Sequence, residues 1–149
     1  MKLPYYPIEM FRSGFYFFTG PYQLVLDCLA PRLKERDWEI TRDDLEDCGG
    51  YCMSFTTANG VANLIWVPDV EDEFVLFHEA LHCSFNILRR VGIPADADSQ
   101  EAIAYLQEEV VKGCRKVAKT FKYKDPVKAE RGDGQSVVAS AHRISKGGL

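Results

Sequence analysis

The strongest constraint on how this chain folds is the stretch Val75–Ile87, VLFHEALHCSFNI, a helical apolar run that carries two histidines and a glutamate. Residues four apart share a helix face, so His78 and His82 can offer two imidazole nitrogens to one ion, with Glu79 one step round. Ionisable groups in an apolar helix are costly unless they are paired or bind a metal. The helix is expected from about Glu71 to Val91, with the acidic residues Asp69, Glu71, Asp72 and Glu73 at its positive end. It is apolar on several sides: Phe74, Phe77, Leu81, Phe85 and Leu88 form one stripe, and Leu76, Ala80, Cys83 and Ile87 another. That pattern predicts a buried central helix. Gly92 is placed for a left-handed C-cap and Pro94 prevents continuation. A second helix follows from about Gln100 to Phe121, apolar at Ile103, Leu106, Val110, Val111, Val117 and Phe121.

Upstream, Tyr51–Ala58 and Val61–Val67 flank Asn59-Gly60, a residue pair that tolerates the positive φ angles of a type I′ hairpin turn. Pairing across that turn sets Met53 opposite Trp66 and Phe55 opposite Leu64, with one face in the core and the other wet. Before the hairpin, Met1–Arg12 reads as an extended arm and Gly14–Phe18 as a short strand. A helix led by Pro21 runs through Val25, Leu29 and Leu33, kinked or ended early by Pro31. Trp38–Ile40 can form a strand, and Thr41–Cys48 a helical turn. The fold class is therefore α+β: a small antiparallel sheet, an N-terminal helix and two C-terminal helices. Residues 1–121 form the domain, and 122–149 a basic tail without periodicity.

An apolar fraction of 46% supports one core without disulfides, and the length suits one domain. The net charge is -4, and because the tail is basic the rest is more acidic still, which argues against nucleic-acid binding. Cys28, Cys48, Cys52, Cys83 and Cys114 are odd in number, and the opening residues lack the apolar core of a signal peptide; a reducing cytoplasm is the expected compartment. No segment reads as membrane-spanning. Cys48 and Cys52, as CGGYC, have the wrong spacing for a zinc knuckle. His142 reads as a solvated tail residue.

H-E-x-x-H on a helix is the zinc-binding pattern of metallopeptidases, in which a third ligand completes the set and a water fills the fourth position. Gly and His would follow His82 by three and six residues in a metzincin; Phe85 and Leu88 stand there, which excludes that family. Glu101 is the favoured third ligand, because the Gly92-to-Ser99 turn folds the second helix back beside the first. Asp96, Asp98 and Glu108 remain open, since Asp98-Ser99-Gln100-Glu101 also reads as a capping box. From Phe74 to Leu106 the chain resembles the gluzincins, whose third ligand is a glutamate on the next helix, here in QEAIAY. It looks especially like the reduced forms in immunity-repressor peptidases of mobile elements and small phage-encoded metallopeptidases.

The resemblance implies a minimal zincin-like fold, zinc held by His78, His82 and Glu101, and Glu79 as general base in the hydrolysis of a protein or peptide substrate. It also implies that the strand before the helix, Val61–Val67, lines the cleft and pairs with substrate. Where larger gluzincins often carry an aspartate that orients a histidine, this chain has Tyr105, whose phenol can hydrogen-bond there or steady an oxyanion. The rival readings are a non-enzymatic virion or binding protein with a structural or absent metal, and a regulator that contacts DNA or a repressor through the tail.

Overall fold

A computed structural model describes residues 2–35, 37–57 and 60–122. The tail beyond Lys122, with His142, lies outside the described residues. Four strands, β1 (Tyr5–Ile8), β2 (Ser13–Thr19), β3 (Tyr51–Thr57) and β4 (Gly60–Val67), form one sheet in the order β1-β2-β4-β3. The helices are α1 (Gln23–Cys28), α2 (Ala30–Lys34), α3 (Glu73–Arg90) and α4 (Gln100–Thr120). The α+β class holds. The sheet, however, is mixed and not antiparallel, because β2 and β4 run parallel between antiparallel outer pairs. The connection from β2 to β4 is long enough for such a crossover, and both strands are apolar enough to sit at the centre.

The expectation of one wet sheet face is also overturned. On one face Phe15, Phe17, Ile65 and Val67 pack with Leu76, Ala80, Cys83 and Ile87 of α3 and Val110 and Cys114 of α4. On the other, Phe18, Leu64 and Trp66 pack with Val25, Leu29 and Leu33 of α1 and α2, and with Ile40 and Leu45. The uninterrupted apolar run Leu64-Ile65-Trp66-Val67 is the mark of a strand covered on both sides. Residues 38–40 form no strand; Ile40 instead plugs the second core beside a turn in which Asp44 accepts hydrogen bonds from the Thr41 N–H and Oγ1–H.

The β3–β4 turn sits one residue earlier than expected, with the same two-residue span: Thr57 faces Gly60, Phe55 faces Ala62 and Met53 faces Leu64. Gly60 takes φ 125°, and the Thr57 hydroxyl donates to its carbonyl at 2.9 Å, closing the hairpin one residue earlier. Partner residues shift in twos, so every side chain keeps the face expected of it. The turn residues 58–59 lie outside the described residues. The single N-terminal helix is two short ones, broken at Leu29, with Pro31 in the first turn of the second, where its missing N–H costs nothing.

The two C-terminal helices follow their local signals. Asp72 caps α3 by accepting from the Val75 N–H at 3.2 Å. At the other end Gly92, at φ 77°, turns the chain while Ile93 donates back to the Leu88 carbonyl. But α3 is not buried all round. Its Leu76/Ala80/Cys83/Ile87 stripe meets the sheet, whereas Phe74 is 91% and Phe77 41% exposed. A helix lying on a sheet has one face to give it, and α4 covers only one flank of α3. No helix among the described residues is long and apolar enough to cross a membrane.

Candidate metal centre

The helical turn between His78 and His82 brings the two Nε2 atoms to 3.1 Å, with ring centroids 4.7 Å apart and planes at 79°. Two ligands at Zn–N distances near 2.0–2.1 Å in a tetrahedron are about 3.3 Å apart, so the pair fits two coordination positions. With one ring protonated at Nε2 the same geometry is an N–H···N hydrogen bond. Both imidazoles are exposed on the solvent side of α3.

Glu79 lies one step round the helix from His78, toward the sheet, and only 6% of it is exposed. Burial pushes its carboxyl pKa up, and the adjacent His78 and His82 draw it partly back. The side chain lies against Gly50 at the start of β3: a Cβ there would come within 2.9 Å of Glu79 Cγ and Oε1 and 2.7 Å of Val75 Cγ1. Gly50 is thus a site residue that sequence reading missed. The signal was available in Gly49-Gly50 immediately before a strand, where it reads only as the end of a loop.

The remaining residues are not gathered in. Among the described residues, no group of three or more His, Cys, Asp or Glu is placed to hold a metal. The antiparallel pairing of α3 and α4 is set by Arg115 to Glu73 at 2.7 Å and by the Gln107 amide donating to the Phe77 carbonyl at 2.9 Å. Counting back from these two contacts puts Glu101 level with α3 between Cys83 and Ile87, beyond His82. Its side chain is exposed and makes no hydrogen bond or ion pair among the described residues.

The alternatives are placed as follows. Asp96, and not Asp98, forms the cap that precedes α4: its carboxylate accepts from the Asp98 and Ser99 amides. Glu108 pairs with Lys112 at 3.1 Å. Tyr105 is 70% exposed and lines a groove of about 880 Å³ with Tyr5 and Met10, on the side of α4 facing β1.

β4 lies between β2 and β3, so its backbone is already paired and it cannot receive a substrate strand; the free edge beside Glu79 belongs to β3. All five cysteines are free thiols. Those of Cys83 and Cys114 are buried, which raises their pKa and keeps them protonated and unreactive. No family model matches this sequence, and neither the curated proteins nor the solved structures contain a match.

Proposed function

We propose that this chain is a zinc-dependent peptidase of the small mobile-element type that its motif resembles, acting on protein or peptide substrate in the cytoplasm. The observation that carries the reading is the 3.1 Å approach of the His78 and His82 Nε2 atoms, with a nearly buried carboxylate on the next residue. His78 and His82 would hold the ion, and Glu101, the unpaired carboxylate of the first turn of α4, would complete its protein ligands. When bound, zinc supplies Lewis acidity that polarises a scissile carbonyl and acidifies water. Glu79, the nearly buried carboxylate beside the histidines, would serve as the general base and hand the proton on to the leaving amine. Gly50 leaves the space in which the Glu79 carboxylate sits, and the free edge of β3 offers backbone pairing to an extended peptide. Tyr105, on the side of α4 that faces β1, would reach the oxyanion only if α4 turned on its axis. The acidic body gives nucleic acid no surface to favour.

The test is zinc content by elemental analysis for wild type, His82→Ala and Glu101→Ala, with hydrolysis of an unfolded casein probe by wild type and Glu79→Gln. About one zinc per chain is expected, lost in both ligand variants, with Glu79→Gln keeping the metal and losing activity. A wild type that takes up no zinc would overturn the reading. The second reading is a virion or binding protein in which a metal staples the helices or is absent, favoured by the third donor standing apart from the histidine pair. It requires that Glu79→Gln change nothing.

A further inference from the structure

The stripe of α3 that carries the two histidines continues past them. His78, His82, Phe85 and Arg89 follow at spacings of four, three and four, which keeps all four on one helix face. Beside that stripe lies an open cavity of about 520 Å³ bordered by His82, Phe85 and Arg89 and, from the loop that follows, by Gly92, Ile93 and Pro94.

We infer that this cavity is a carboxylate subsite in which Arg89 binds an acidic group of the substrate; what that group is attached to rests on the peptidase reading above. Two arginines end α3, and they are used differently. Arg90 donates to the Val61 carbonyl at 3.2 Å and so ties the helix to β4. The Arg89 guanidinium has no hydrogen-bond or ion-pair partner among the described residues, yet Arg89 borders the cavity. A guanidinium is built for two-pronged contact with a carboxylate, and the Asp96 carboxylate of the adjoining loop does not compete for it, being turned onto the Asp98 and Ser99 amides. Complementing the helix dipole would explain a basic residue at this end of α3, but not the cavity in front of it.

The spacing says where on a substrate the acid sits. Seven helical residues separate His82 from Arg89, a rise of about 10 Å. An extended peptide advances about 3.3 Å per residue, so the carboxylate falls about three residues from the bond held at the histidines. Phe85, Ile93 and Pro94 supply apolar wall between the two points. The substrate class is therefore a peptide with an acidic side chain, or its own C-terminal carboxylate, about three residues from the cleaved bond.

The experiment uses three fluorescent hexapeptides of one neutral sequence: C-terminally amidated, with a free C-terminus, and amidated with one internal glutamate. Binding is read by anisotropy on the zinc-treated full chain carrying Glu79→Gln, which holds the probes uncut, and on the same chain with Arg89→Gln or Arg89→Lys. Zinc content is measured on every sample. A charge-assisted contact corresponds to about tenfold tighter binding or more. One acidic probe should exceed the neutral one by that factor, lose the advantage in Arg89→Gln, and regain part of it in Arg89→Lys. The preferred probe identifies a chain end or a side chain as the source. Equal binding of all three probes, or a preference that survives Arg89→Gln, overturns the subsite. Zinc bound without any preference leaves the peptidase reading standing and removes the subsite; preference without zinc does the reverse.

Discussion

Gly50 and Glu79 show how closely the candidate site depends on a missing side chain. With a Cβ 2.9 Å from Glu79 Oε1 and 2.7 Å from Val75 Cγ1, one of the three groups would have to move, and the carboxylate is the most movable. Gly50→Ala is therefore expected to displace the proposed base without touching the histidines. A displacement of about 1 Å at a reacting group costs about a hundredfold in rate. Casein hydrolysis should fall by that order while zinc content stays at the wild-type value. Undiminished hydrolysis would show that Glu79 does not work from the position the structure gives it.

At the scale of elements, the contact that fixes the N-terminal arm is the crossing of β1 and β2 over α4 at Gly113. A Cβ at that position would lie 2.6 Å from Tyr6 Cδ1 and 2.8 Å from Phe15 Cζ, and Tyr6 also donates from its hydroxyl to Glu109 at 2.7 Å. Replacing a helical glycine by alanine ordinarily stabilises by about 1 kcal/mol. Overpacking costs about 1–3 kcal/mol, and here both obstructing groups are aromatic rings held from two strands. The clash outweighs the propensity, so Gly113→Ala should be destabilising by about 1 kcal/mol, read as a lowered midpoint in urea. A raised midpoint would mean that the helix and the strands are less tightly apposed than they are here. Helix propensity alone gives the opposite sign, which makes the substitution a direct test of the packing.

For the whole molecule, the decisive feature is a sheet with helices on both faces. Leu64 and Ile65 are neighbours on β4, both fully buried, and they belong to different cores. Leu64→Ala and Ile65→Ala should each cost about 2–5 kcal/mol, and each should lower one shared unfolding transition. In a sheet with one wet face, one of the pair would cost almost nothing. The sequence by itself determined the local elements: α3 from its cap at Asp72 to its stop at Gly92, α4, both strands of the hairpin, the break near Pro31, and the histidine pair four residues apart. Each of these follows from propensity, capping and period over a few residues. The tertiary structure alone decided that β2 lies parallel to β4, that β3 and not β4 keeps the free edge, that Phe74 and Phe77 stay exposed, and that Gly50 meets Glu79. It also decided that Glu101 stands apart from the histidines and that Arg89 faces a cavity. Those outcomes depend on which distant segment covers which face, and a periodic pattern states that a face is apolar without stating what will meet it.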